Sequence, residues 1–314
     1  MIIDCFPYCS LYGSEMLLLR YHILKDYVDE FVIVESNYSH TGKEIPFTCK
    51  QKIFEWGLDV NKFKIIELHT PSDEKLKITE IDELNCVDVL NGKKQDSIES
   101  KRARVRDRLS KDGILHILDL YDDNDIFIFS DIDEIINPIF LDSCVNALNQ
   151  IKDRYLLIPL IYLEGRADLR VYNKKNNMPE PWDWAMFLCK KDLLKTVSPM
   201  QVRSYKLLPE HIIATTLLDS NGEILQDMGW HFSWMGGKEK RITKKNTWCH
   251  SFDSFDWHIT KGYRKSDLYL NQKYKDGDVA PCGHEDLFLK DFSIENLPKE
   301  IFDLPEAYSF LFSE

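Results

Sequence analysis

Hydrophobic positions in residues 1–140 fall into short dense runs that alternate with segments of helical period. Ile2 to Phe6 is an apolar run at the very start. Glu15 to Leu24 spaces Met16, Leu17, Leu19, Tyr21 and Ile23 among charges, which predicts a helix. Glu30 to Glu35 is short, β-branched and bounded by polar residues, the pattern of a buried strand. Lys50 to Gly57 predicts a short helix stopped by Gly57, and Phe63 to Leu68 another strand. Residues 70–96 are polar and irregular and predict a long surface loop. Ile98 to Tyr121 predicts a helix broken at Gly113, and Asp125 to Ser130 a strand apolar on both faces. Strand and helix in this order predict an α/β fold with a mostly parallel sheet flanked by helices.

The second half reads differently. Tyr155 to Leu163 predicts one long strand. Six of the seven tryptophans then fall between Trp182 and Trp257, amid denser glycine and proline, which suggests α+β structure or loops around a cleft. A division into residues 1–150, a Rossmann-like half, and 151–314, a second half, is one expectation. A single continuous domain is the other.

Bulk properties narrow the function classes. The chain has 314 residues, 44% hydrophobic and 29% charged, which is globular composition with material for a sizeable core. A net charge of −12 repels nucleic-acid phosphates, so no nucleic-acid partner is expected. The eight cysteines form no C-x-x-C pair and no zinc ligand set with histidine, and they read as reduced thiols. The start, Met-Ile-Ile-Asp-Cys-Phe, has no basic region before a long apolar one, and no apolar run approaches the roughly 20 residues that span a bilayer. A cytoplasmic location follows as an expectation, with peripheral membrane association left open.

The sharpest local signal is Phe127-Ile-Phe-Ser-Asp131-Ile-Asp133-Glu134. A buried parallel strand ends here and releases carboxylates at its carboxyl end, where open α/β sheets bind ligands. In extended backbone Asp131 and Asp133 share a face while Ile132 points to the core. Two such carboxylates make a hard oxygen site for Mn²⁺ or Mg²⁺, which in turn binds substrate phosphates. As strand-end groups they are expected to contribute little to the core. The same residues also fit a solvated turn, or a phosphohydrolase with Asp131 as nucleophile. In that class the motif opens the first strand and precedes Gly-Thr-type residues, whereas here it lies mid-chain before Glu-Ile-Ile-Asn-Pro.

Three blocks in order resemble glycosyltransferase family 17, which contains the bisecting β-1,4-N-acetylglucosaminyltransferase of N-glycan processing. They are Leu17-Leu-Leu-Arg20 with Val28-Asp-Glu-Phe-Val-Ile-Val-Glu35-Ser36-Asn37, Gly42 and Pro46; then Asp125 to Ile135; then Gly229-Trp230-His231-Phe-Ser233-Trp234. The resemblance implies a GT-A-type fold and inverting transfer of a sugar, N-acetylglucosamine from a UDP-sugar, to a glycan acceptor. Residues after about 235 depart from it, which opens the acceptor more than the donor.

With the resemblance in place, further residues become candidates. Glu35 and Asn37 follow the second strand, where a nucleotide's hydroxyls or base edges would lie. Residues 101–111 hold six basic side chains in an acidic chain. On a helix Val105 and Leu109 mark the buried side and Arg106 points further out. Arg106 matches a family arginine and is the candidate for the donor diphosphate, with Asp131 and Glu134 beside it. His231, between Trp230 and Phe232, can complete the metal shell with Asp131 and Asp133, contact the diphosphate, or simply pack in the core. Trp182, Trp184, Trp230 and Trp234 are the candidates for stacking on acceptor sugars, with core packing as the alternative. An inverting transfer needs a general base, for which Asp286, Asp183 and Asp227 are the ranked candidates. Enzyme classes aside, the tryptophans also fit a non-catalytic carbohydrate-binding protein.

Overall fold

The computed structural model describes residues 1–86, 97–151, 154–183, 186–205, 207–249, 251 and 286–313. The first part of the chain runs β1 (Ile2–Tyr8), α1 (Ser14–Leu24), β2 (Glu30–Ser36), α2 (Cys49–Glu55), β3 (Phe63–Leu68), α3 (Glu80–Asn85), α4 (Ile98–Asp112), β4 (Ile126–Phe129), β5 (Glu134–Ile136) and α5 (Leu141–Gln150). It continues through β6 (Arg154–Leu157), β7 (Leu160–Glu164), β8 (Leu169–Asn173), β9 (Pro181–Trp182), β10 (Phe187–Lys190), α6 (Lys191–Leu194), α7 (Pro199–Ser204), β11 (Ile213–Thr215), β12 (Gly229–Ser233), α8 (Gly237–Thr247), β13 (Leu287–Asp291) and α9 (Glu300–Asp303). No helix among the described residues is long and apolar enough to cross a membrane.

A seven-stranded sheet, ordered β11-β6-β10-β4-β1-β2-β3, carries the expected α/β architecture. Its centre is parallel: β1 pairs with β2 and β4, and β2 with β3. Alternation at period two sends Phe6, Tyr8, Phe31, Ile33, Ile126 and Ile128 to one buried cluster. It sends Ile3, Cys5, Val32, Phe127 and Phe129 to another, on the opposite face. Burial on both faces explains why these strands read as continuous apolar runs. A second sheet, ordered β13-β8-β7-β12-β5 with β9 beside β7, is mainly antiparallel. Strands β10 and β11 of the first sheet come from beyond residue 150, and β5 of the second from before it, so strand pairing does not divide the chain there.

Two local readings change. The run Tyr155 to Leu163 is two strands, not one: β6 belongs to the first sheet and β7 to the second. The crossing falls at Ile158-Pro159, where proline has no amide to give a ladder. The polar stretch after residue 70 contains α3, started by a capping box in which Thr79 and Asp82 satisfy each other's backbone. Arg108 of α4 donates to both Asp82 oxygens, at 2.8 and 3.2 Å, and docks that helix. The break at Gly113 is present, and a Cβ there would meet Val34 Cγ1 at 2.6 Å, so the helix end lies against β2 only because the residue is glycine.

Arg20 of α1 is fully buried and ties the two sheets together. It donates to Asp4 of β1 through Nε at 2.6 Å and a terminal nitrogen at 2.5 Å. Its other nitrogen donates to the carbonyls of Asp131 and Glu134, at 3.0 and 2.6 Å. Ser130 Oγ accepts a further bond at 2.7 Å, and the guanidinium lies 4.5 Å from the Phe6 ring. Arg20→Met strands Asp4 in the core and should cost about 3–5 kcal/mol in urea unfolding, with Arg20→Met/Asp4→Leu recovering most of the loss. A loss under about 1 kcal/mol in the single variant would show that the pair does not organise the fold.

Candidate functional site

The chain leaves β1 for β2 and β3 on one side and returns to β4 on the other. Neighbours β1 and β4 therefore separate at their carboxyl ends, the switch point where such sheets take ligands. The crevice there is lined by Phe6 and Pro7 at the end of β1, Phe129 and Ser130 at the end of β4, and by Lys111 and Arg203. Beyond Ser130 the chain turns through Asp131 and Asp133 into β5, with the Glu134 amide donating to the Asp131 carbonyl at 3.0 Å.

Each carboxylate of this turn meets a cation from a distant element. Asp131, 35% exposed, accepts from Arg203 of α7 at 2.5 Å and lies 3.7 Å from Lys111 of α4. Asp133 is 11% exposed and accepts from Lys244 of α8 at 2.9 Å. Glu134 is buried and accepts from Arg203 at 3.1 Å on both oxygens, from the Trp182 indole at 2.8 Å and from the Asp131 amide at 2.8 Å. Burial alone would raise the Asp133 carboxyl, but the Lys244 ammonium and then His231 outweigh it and hold it at about 2. Burial would lower the Lys244 and Lys111 ammoniums, and their carboxylate partners raise both instead. Asp133 is thus a structural charge as well as a candidate ligand, contrary to the expectation that strand-end carboxylates matter little to the core.

His231 is buried in β12, with Nε2 4.0 Å from Asp133. Its ring stacks on Tyr162 at 5.3 Å and lies 4.3 Å from the Trp182 ring. Nδ1 is buried without a hydrogen-bond partner among the described residues, and burial pushes the imidazole below its ordinary value. It therefore approaches Asp133, but Asp131, Asp133 and His231 do not close into one set of three ligand atoms. The described set that does is His40, Asp107 and Cys249, whose ligand atoms lie within 4.8 Å of one another, close enough to hold an ion.

Other candidates lie apart from the turn. Glu35 points at the start of α2 and accepts from the amides of Thr48 at 2.6 Å and Cys49 at 3.1 Å, an N-terminal cap in effect. Asn37 Oδ1 accepts from the Thr70 amide at 2.8 Å. Arg106 is buried rather than outward-pointing. It pairs with Asp73, donates to the His40 carbonyl at 3.3 Å and packs on Gly42, whose φ of +85° leaves room that a Cβ would fill at 3.2 Å. The buried side of α4 carries Arg104, Arg106 and Asp107 as well as Val105, because their partners sit on neighbouring loops.

The tryptophans divide. Trp182 belongs to the turn's own network, while Trp230 is buried and donates to the Asn296 carbonyl at 2.9 Å. Trp234 is half-buried against Trp248 and beneath Lys244, and Trp184 lies outside the described residues. Among the base candidates, Asp286 is exposed, faces Lys175 at 3.5 Å and precedes β13. That strand is at the opposite sheet edge from β5, four strand spacings or roughly 19 Å away. Asp227 is held in a fork by Arg170, four residues before His231 and roughly 13 Å along the strand direction. Asp183 follows Trp182, and burial, then Glu180, pushes its carboxyl up.

Arg20, Lys111, Arg203 and Lys244 complete the site, and none was among the candidates. Lys111 lies in the basic run of α4, five residues after Arg106. Arg203 belongs to a helix signalled by Ser198-Pro199-Met200-Gln201, a capping box, but no local spacing links it to Asp131.

Residues 11–153 match the family model described as "Glycosyltransferase family 17". A search of curated proteins finds no match. Among solved structures, the chain is similar to one titled "Crystal structure of 4-diphosphocytidyl-2C-methyl-D-erythritol synthase", with 10% identity, 72% of this chain and 92% of that chain covered, and a TM-score of 0.34. Another, "Crystal structure of GalNAc-T7 with UDP, GalNAc and Mn2+", shares 10% identity over 62% of this chain and 35% of that chain, with a TM-score of 0.31. The stretch that matches the family model runs from α1 through the carboxylate turn to α5.

Proposed function

We propose that this protein transfers a sugar, N-acetylglucosamine, from a UDP-sugar to a glycan acceptor with inversion at the anomeric carbon. The observation that carries the reading is the carboxylate turn at the switch point, ringed by cations and lying inside the family match. The crevice between β1 and β4 takes the nucleotide, and the turn takes the diphosphate.

The residues fit a divalent ion. Lys244 and Arg203 already seat positive charge on Asp133 and Asp131, and the buried His231, whose Nε2 lies 4.0 Å from Asp133, has an Nδ1 without a hydrogen-bond partner among the described residues. Asp131 and Asp133 would hold Mn²⁺ or Mg²⁺, which neutralises the diphosphate as the sugar bond breaks. Lys244 then turns from Asp133 toward the phosphate oxygens, and Lys111 and Arg203 line the same wall. Trp182, half-buried next to Glu134, offers an apolar face that suits the C–H face of a sugar. Asp183, beside Trp182 and raised by burial, is the best-placed base for the acceptor hydroxyl. The phosphohydrolase reading draws less support, since the motif follows the fourth strand rather than opening the first, and lies inside the family match. Trp230, hydrogen-bonded in the core, lends little to a non-catalytic binding protein.

Calorimetry with UDP and Mn²⁺ tests the donor site. Asp131→Asn and Asp133→Asn should each weaken UDP by more than about 100-fold, beyond the usual cost of losing an outer partner of a metal ligand. Unchanged affinity in both sinks the assignment.

Turnover at saturating donor and acceptor tests the base. Asp183→Asn should fall by about two to four powers of ten with UDP affinity kept. A normal rate there, with loss in Asp286→Asn or Asp227→Asn, moves the role to that residue.

The Asp133 carboxyl, held at about 2 against an ordinary 3.8, also makes stability depend on pH. Its contribution is complete above pH 3.8 and is lost as pH falls toward 2, about 2 kcal/mol in all. Urea unfolding of Asp133→Asn should show a shallower loss over that interval. A slope equal to the wild type would contradict the Lys244 pairing.

A further inference from the structure

The His40, Asp107 and Cys249 cluster is built from three separate parts of the chain: the loop after β2, the middle of α4 and the segment after α8. It stands apart from the transfer reading and does not depend on it. Its donors are an imidazole nitrogen, a carboxylate oxygen and a sulfur, whereas Asp131 and Asp133 offer oxygen alone. Four-coordinate zinc with bonds of about 2.0–2.3 Å places its ligands about 3.3–3.8 Å apart, so ligand atoms within 4.8 Å close on an ion by small side-chain movements.

Two further observations point to a ligand. The His40 Nδ1 is buried without a hydrogen-bond partner among the described residues, while Nε2 faces Asp107 at 3.9 Å. Protein cations already serve the other two donors: Lys111 pairs with Asp107, and Arg104 lies 3.6 Å from the Cys249 sulfur. Lys111 has an alternative partner in Asp131 at 3.7 Å, so an arriving ion can displace it without leaving a buried ammonium unpaired.

We propose that His40, Asp107 and Cys249 bind one thiophilic divalent cation of the zinc class, at a site distinct from the Asp131–Asp133 carboxylates. A thiolate with an imidazole and a carboxylate selects a borderline-soft ion over Mg²⁺ or Mn²⁺. Three protein ligands leave a fourth position open to water or to an oxygen of a bound molecule. The ion joins the β2 loop and α4 to the end of α8, the helix that supplies Lys244.

The test uses the full chain and Co²⁺, with no donor or acceptor. One equivalent of Co²⁺ should give a near-ultraviolet thiolate-to-cobalt charge-transfer band, and Zn²⁺ should abolish it by competition. Cys249→Ser, nearly isosteric and checked for folding by circular dichroism, should lose the band. His40→Ala should weaken Zn²⁺ by about tenfold or more, and Asp131→Asn should leave the band in place. No band in the wild-type chain, or a band retained in Cys249→Ser, overturns the proposal. So does Zn²⁺ affinity that is lost in Asp131→Asn and kept in Cys249→Ser, which would place the ion at the carboxylate turn. Should Cys249→Ser fail to fold, alkylation of the native protein decides. Zn²⁺ should protect Cys249 from a thiol reagent, and equal labelling with and without Zn²⁺ overturns the site.

Discussion

The buried Arg20 guanidinium is the constraint on which the site rests. Where β4 ends, the chain leaves the ladder and its carbonyls lose their strand partners. The carbonyls of Asp131 and Glu134 would be costly to bury unpaired, and Arg20 satisfies both while its other edge is locked on Asp4. A planar donor fork allows little rotation, so the turn is fixed to β1 and α1 at the level of its backbone. Asp131 and Asp133 are then presented by a rigid frame, and their side chains remain free to change partners.

Around that frame charge is nearly balanced. Four carboxylates, from Asp107, Asp131, Asp133 and Glu134, face three cations, from Lys111, Arg203 and Lys244. Pairing at short range lets these groups stay ionised in a partly buried crevice, where isolated charges would be expelled or neutralised. The balance leaves no surplus of positive charge for a diphosphate. On the proposed reading, an added divalent ion would change the sign of the site and let a crevice in a chain of net charge −12 attract an anionic donor.

What was legible in the sequence was local. Strands β1, β2 and β4 show as apolar runs because both their faces are buried, and the carboxylate turn shows because strand and acids adjoin in the chain. The run from Tyr155 to Leu163 misled because an apolar string looks the same whether it stays in one sheet or crosses to another at Pro159. The basic run on α4 misled for a different reason. Helical periodicity assumes that charges face water, yet Arg104 and Arg106 are buried against Cys249, Asp73 and the His40 loop. Arg203 and Lys244 reach the turn from helices far along the chain, and pairings of that range leave no trace in spacing. Glu35 shows the converse: a strand-end acid in a suggestive position whose oxygens cap a helix instead.

Lys111 links the two ligand chemistries on this face. Its ammonium sits between Asp107, which belongs to the mixed sulfur, nitrogen and oxygen cluster, and Asp131, which belongs to the oxygen-only turn. A buried lysine cannot give up both carboxylates, since an unpaired ammonium in the crevice would cost several kcal/mol. Charge arriving at one carboxylate therefore pushes Lys111 toward the other. A cation on Asp107 strengthens the Lys111 contact with Asp131 and weakens that carboxylate as a ligand. A cation on Asp131 returns Lys111 to Asp107. Positive charge at the two places is coupled by one flexible side chain, and an anionic ligand that draws Lys111 away from both carboxylates relieves the competition.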